Sequence, residues 1–431
     1  MTSQFHPSNG DPWPAPHHSE PVSGFVTVPG SKSLTARHLV IAALSSSPSR
    51  LSGALRSRDT DLMIEALRAM GTTIEGDGDD LTIIPAPLHG AHIDVGLAGT
   101  VFRFLAAVAA LADGPVSFDG DAAMYARPIG PLLDGLEQLG VKITAGEGPR
   151  GRTLPLTVEG PASGSAVTVD ASGSSQFVSA LLLLAPHLPH GLTITHEGES
   201  VPSLPHVAMT VEALRRAGAS IEESTDGPVS WTVAPGPLHP GHITVEPDLS
   251  NASPFLAAAV ATGGTVTIPH WPAQTTQAGA HIVPILERMG ATATLSDGNL
   301  TVTGPGSISG IDIDLRDAGE LTPTVAALAA LADSPSRLSG IAHLRGHETD
   351  RLAAIASEVT KLGGRCVETR DGLFIEPAPL HGGVVDSYED HRMATFGAIL
   401  GLVVPGISVI DIACTSKTLP DFPTMWEAIT T

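Results

Sequence analysis

Lys32, Ser33 and Arg37 stand together in "VPGSKSLTAR", Val28 to Arg37, between a strand-like run and an apolar one. A loop that opens a helix there presents unpaired backbone N–H groups and the positive end of the helix dipole, so it suits a phosphate or carboxylate. Similar residue types recur elsewhere: Gly99, Thr100 and Arg103 in "LAGTVFR", Arg127 in "ARPIG", Ser174, Ser175 and Gln176 in "SGSSQF", Arg351 in "GHETDRL", Arg392 in "YEDHRM" and Lys417 in "TSKT". Gly99 would let a ligand approach the backbone closely. Any one serine is equally well read as a helix cap. The set reads as an anion site, because its cations, all expected in loops or first helical turns, could neutralise two phosphates and carboxylates, and arginine forks fit planar anions. Two carboxylates interrupt it, Glu320 in "DAGELTPT" and Glu348 in "RGHETDRL". At helix starts they could cap, or they could move protons with pKa values set by cations and partial burial.

Composition bounds the partners. The chain has 431 residues and a net charge of −22, with 23 basic against 45 acidic side chains, so nucleic acid and anionic membranes would be repelled over most of the surface. Runs such as "FLAAVAALA" are too short to span a bilayer and no secretory leader opens the chain, which points to the cytoplasm. Cys366 and Cys414 lack the spacing of a disulfide framework or a cysteine zinc site. The lysines are Lys32, Lys142, Lys361 and Lys417, and the first and last fall in Ser/Thr-rich loops, as if placed. "PGSKS" lacks the second glycine of a Walker loop, no His-Glu-x-x-His occurs, and no dinucleotide fingerprint is present. No metal or organic cofactor is expected.

The elements that must position these residues form a repeat. Helical text ends at Gly71, Gly140, Gly218, Gly290 and Gly363, each followed by a strand, at a spacing of about 70 residues. "PAPLHG", "PGPLHP" and "PAPLHG" recur around His89, His239 and His381. Strand, polar loop and Ala/Leu-rich helix appear six times, each time with a second helix, so six α/β units of roughly four strands and two helices account for nearly the whole chain. The copies are out of phase with the termini. This predicts one continuous domain over 29–245 and one discontinuous domain over 1–28 plus 246–431, with a flexible arm over 1–20. A pure scaffold would not need the helix-opening loops to differ so much in chemistry.

In family order, "PGSKSLTAR", "LAGTVFR", "ARPIG", "SGSSQF", "GHETDRL", "YEDHRM" and "TSKTLPDF" make the chain resemble the 5-enolpyruvylshikimate-3-phosphate synthases, from about Val28 to Phe422. The resemblance implies two inverse α/β-prism domains, each of three βαβαββ units, joined by a double hinge and closing to exclude water. It implies phosphoenolpyruvate contacts at Lys32, Gly99, Arg127, Gln176, Arg351, Arg392 and Lys417. Shikimate 3-phosphate would meet Lys32, Ser33, Arg37, Ser174, Ser175, Gln176, Ser203, Glu320 and His347. The implied reaction adds the shikimate 5-hydroxyl to C2 of phosphoenolpyruvate and then expels phosphate, on the path to chorismate and aromatic amino acids. Glu320 would take the hydroxyl proton and Glu348 would protonate the methylene carbon, with Lys32 a rival for either transfer. A monomer is expected. Gly99 and the intact cationic set suggest sensitivity to glyphosate.

Four positions depart from the commoner family pattern. Glu320 replaces an Asp, His347 a Lys, His343 an Asn and His206 a Tyr. The nearest alternative is a UDP-N-acetylglucosamine enolpyruvyl transferase, which normally has Asn after the first lysine and a reactive Cys or Asp before "RPIG"; here Ser33 follows Lys32 and "GDAAMYARPIG" has no Cys. A non-catalytic repeat protein that binds phosphorylated metabolites would bind without turnover.

Overall fold

Residues 12–430 are described by the computed structural model. The repeat is visible in the strand order. In the sheet built from His92–Asp94, Val116–Asp119, Gly151–Glu159 and Lys142–Gly148, the first pair is parallel and the next two pairs are antiparallel. The sheets centred on Ser49–Ser52, Leu192–His196, Thr265–Ile268 and Ser336–Ser339 repeat that order. In the sixth, Gly383–Val385 pairs parallel with Ile407–Val409, and the third position is taken by Trp13–Pro14. The fold is therefore α/β, with small mixed sheets as its repeating element.

The expected flexible arm over 1–20 needs correction where it can be seen. Residues 1–11 lie outside the described part. Beyond them, Ala15 N–H bonds to Ile407 O and His18 N–H to Leu402 O, and Trp13 is buried edge-on against Phe422. A large indole that finds an aromatic pocket outweighs the Pro and His content that made the stretch look like a tail.

The chain divides into two compact units, Gly30–Glu246 and Met1–Pro29 plus Pro247–Thr431, each with its own apolar core. The helices Lys32–Ala43, Gly99–Val108 and Gln176–Leu184 are buried on nearly every side, which is why their sequences stay apolar beyond the first two turns. Leu249–Thr262, Thr322–Ala330 and His391–Val403 play the same part in the other unit. The second helix of each repeat, such as Arg58–Ala69 or Arg351–Lys361, buries one face and shows the other to solvent.

Two motifs that look separate in the sequence form one device. Gly71, Gly218 and Gly363 adopt positive φ and end their helices, as the glycine pattern implies. The N–H groups of His89, His239 and His381 then bond to Met70 O, Ala217 O and Leu362 O at those same ends. The imidazole rings of His89 and His381 lie so close over Gly71 and Gly363 that a Cβ there would meet ring carbons at 3.1 and 2.9 Å. The recurring histidine is thus a cap for the helix end and is structural.

Candidate active site

In the unit Gly30–Glu246 the inner helices bring their N-terminal loops together with cations. Ser31 caps the Lys32–Ala43 helix through Leu34 N–H, and Lys32 opens it with its ammonium 3.4 Å from Asp59. Arg37 lies a turn further in than the sequence pattern suggests, and it is 2 % exposed. Its guanidinium donates to Thr210 Oγ1 (2.7 Å), Ser33 O (2.9 Å), His206 O (2.9 Å) and Ser179 Oγ (3.5 Å), and lies over the Phe104 ring. All these partners are neutral, and among the described residues no carboxylate pairs with it. Burial accordingly pulls its pKa down from 12.5 to about 9.

Arg103 repeats the arrangement in the next inner helix. It donates to Gln176 Oε1 (2.8 Å) and Pro128 O (3.0 Å) and stacks on Phe177. Burial, and secondarily the charge of Arg127, lowers its pKa to about 9. A Cβ at Gly99 would stand 2.8 Å from Arg127 Nη1 and 3.4 Å from Arg103 Nη1, so two guanidinium groups reach this helix start only because residue 99 has no side chain. Gln176 also donates to Thr100 Oγ1, tying the second loop to the third, where Ser174 and Ser175 precede the Gln176–Leu184 helix. Ser203, in a left-handed conformation, opens the helix Leu204–Arg216.

In the other unit Arg351 and Lys417 are compensated by carboxylates. Arg351 starts its helix under the N-cap Asp350, whose side chain accepts from Ala353 N–H, so Asp350 and not Glu348 is the capping residue. Arg351 is 2 % exposed and grips Asp390 with two bonds (2.7 and 3.2 Å) and Glu348 with one (2.8 Å). Burial pulls its pKa down, but Asp390 and Glu348 more than offset this and the net direction is up. Lys417 ends a turn at Ile412–Lys417 and reaches Glu348 Oε1 at 2.5 Å. Asp390 also accepts from Arg392 N–H and thereby sets the start of the helix that carries Arg392. Glu320 sits in a short turn before Thr322 and accepts from Ser250 Oγ at 3.1 Å. His347 Nδ1 lies 3.4 Å from Arg351 Nη1, a contact in which that nitrogen must accept, leaving the proton on Nε2. The neighbouring His343 ring lies tilted against it, 5.6 Å between centroids, and is held neutral, its pKa lowered to about 4 chiefly by burial against the opposing pull of Glu320.

Glu348, Asp390 and His391 place metal-ligand atoms within 4.8 Å of one another. Both carboxylates already bind Arg351, and Glu348 also binds Lys417, so the cations present fill the role a metal would have.

The family model of EPSP synthase (3-phosphoshikimate 1-carboxyvinyltransferase) matches residues 16–426. The chain belongs to the EPSP synthase family. It is 57 % identical over 435 aligned positions to the 3-phosphoshikimate 1-carboxyvinyltransferase of Kocuria rhizophila, covering 97 % of this chain and 96 % of that one. It is 54 % identical to the Mycobacterium ulcerans protein of the same name, with 97 % and 98 % covered. A solved EPSP synthase from Acinetobacter baumannii superposes with a TM-score of 0.80 over 97 % of each chain at 25 % identity. As an EPSP synthase family member the chain is a transferase of the shikimate pathway, which leads to the aromatic amino acids. Neither the UDP-N-acetylglucosamine alternative nor a non-catalytic scaffold gains support from these matches.

Sequence reasoning missed the acidic and hydroxyl partners of this family's cations: Asp59, Thr210, Ser179 and Asp390. Asp390 had a signal, since an Asp immediately before an apolar helix is a cap and its free oxygen must go somewhere. Ser179 and Thr210 had none, being helix-interior residues that meet Arg37 only through tertiary packing.

Proposed function

We propose that the chain transfers the carboxyvinyl group of phosphoenolpyruvate to the 5-hydroxyl of shikimate 3-phosphate in the residue-by-residue manner that follows. The observation that carries it is a pair of buried guanidinium groups, Arg37 and Arg103, that bond only neutral groups in a chain with 22 more acids than bases. Such charges are tolerated where an anionic ligand completes them. Lys32, Ser33, Arg37, Ser174, Ser175, Gln176, Ser203, Glu320 and His347 bind shikimate 3-phosphate. Lys32, Gly99, Arg127, Gln176, Arg351, Arg392 and Lys417 bind phosphoenolpyruvate.

Glu320 takes the 5-hydroxyl proton as the oxygen adds to C2, and Glu348 passes to C3 a proton drawn from the Lys417 ammonium with which it is paired. The tetrahedral intermediate then loses phosphate and a C3 proton to give the enol ether, with the cations stabilising the leaving group. The enzyme acts as a cytoplasmic monomer on these two small molecules, without nucleic acid or membrane; no helix of the described residues is long and apolar enough to cross one.

Incubation with phosphoenolpyruvate should release phosphate only when shikimate 3-phosphate is added, and release independent of it would sink the assignment. The His347 reading has its own check. His347→Ala should raise the KM for shikimate 3-phosphate about tenfold, the worth of one hydrogen bond to a charged or strongly polar group. An unchanged KM would remove His347 from the site.

A further inference from the structure

The loop that delivers Arg392 is held from behind by a residue that touches no substrate in this reading. Glu358 lies two turns after Arg351 on the same helix, fully buried. Its Oε1 accepts from the Tyr388 hydroxyl at 2.7 Å, and its Oε2 accepts from Lys361 at 2.6 Å and from Asp386 N–H at 3.3 Å. Tyr388 and Glu389 both have positive φ (53° and 57°), a conformation that L-residues hold only when something fixes them. Asp386, Tyr388 and Glu389 line one side of a cavity of about 630 Å³ that Glu348 also lines. One residue further on, Asp390 grips Arg351 and caps the helix that carries Arg392. The single helix Arg351–Lys361 thus holds the 386–390 loop at two points, Arg351 at its start and Glu358 further along.

We propose that Glu358 is a positioning residue, which through the Tyr388 hydroxyl and the Asp386 N–H fixes the loop that sets Arg351 and Arg392 for phosphoenolpyruvate. The inference rests on the reading above, in which those arginines hold that substrate. A loop released at Tyr388 still closes its sheet and core, so the loss falls on the aim of the arginines rather than on the fold.

Tyr388→Phe deletes one hydroxyl from a half-buried ring and tests the tether with little risk to folding. It should raise the KM for phosphoenolpyruvate about fivefold, leave that for shikimate 3-phosphate within about twofold, and hold the melting temperature. Glu358→Leu, which removes both acceptor oxygens, should act in the same direction, and the Glu358→Leu/Tyr388→Phe pair should be no worse than Glu358→Leu alone, since the Tyr388 bond is already lost in it. Equal rises in both KM values with a fall in melting temperature, or strictly additive effects, would overturn the tether. Arg392→Ala, measured alongside, separates the two levels. A phosphoenolpyruvate KM raised by Arg392→Ala but untouched by Tyr388→Phe overturns the tether alone. One untouched by Arg392→Ala overturns the placement of the substrate at Arg392, and the proposal with it.

Discussion

Glu348→Gln is expected to lower kcat by about 10²- to 10⁴-fold, the usual worth of a positioned acid or base, while both substrates still bind. The geometry gives the reason. One oxygen of Glu348 meets Lys417 and the other meets Arg351, so the side chain is held between two cations and shares a proton-bearing contact with the lysine. Glutamine keeps the shape but can neither accept nor return a proton, and its amide N–H₂ must face one of the two cations. The fold should survive, because Arg351 keeps both bonds to Asp390. Single-turnover measurement of phosphate release, with binding of each substrate followed separately, checks this. Turnover like that of the unaltered enzyme would take Glu348 out of proton transfer.

What could be read from the sequence was whatever repeats or clusters locally. The glycine that ends each second helix needs a left-handed residue wherever the chain is cut, and Gly71, Gly140, Gly218, Gly290 and Gly363 all have positive φ. The inner helices announced themselves by sequences that stay apolar beyond the first two turns. The loops that open them carried Lys32, Gly99, Gln176 and Arg392, and the structure places these residues at helix starts. Contacts set by distant packing could not be read in this way. Arg37 looked like a loop cation because "SLTAR" starts a helix, yet the second turn of that helix is already in the core. Trp13 looked like part of a tail because its strand partner, Val409, is almost 400 residues away. Shorter separations, 39 and 142 residues, hid Asp390 from Arg351 and Ser179 from Arg37 in the same way.

The contrast between two buried arginines yields the second large effect. Arg351 has carboxylates and Arg37 has none, and only the second should therefore be dispensable to the empty fold. The drop of the Arg37 pKa from 12.5 to about 9 corresponds to roughly 5 kcal/mol against the charged form, an order-of-magnitude figure. The sign follows from linkage. The unfolded chain holds this proton more tightly than the folded one, so the cost is fully present at neutral pH and fades as pH rises through about 9. An anion bound to Arg37 offsets that cost, and a neutral side chain of similar length removes it. Arg37→Met keeps an unbranched chain over Phe104 and leaves Thr210, Ser179 and two carbonyls with one acceptor site fewer in use. The ligand-free variant should melt no lower than the unaltered protein. Its KM for shikimate 3-phosphate should rise about 100-fold or more, the cost of removing one partner of a buried charge pair, and the rise in Tm that this ligand produces should nearly vanish. A variant that melts several degrees lower yet binds shikimate 3-phosphate normally would make Arg37 a core residue that happens to be charged, and the anion would have to be held by Lys32 and the serines alone.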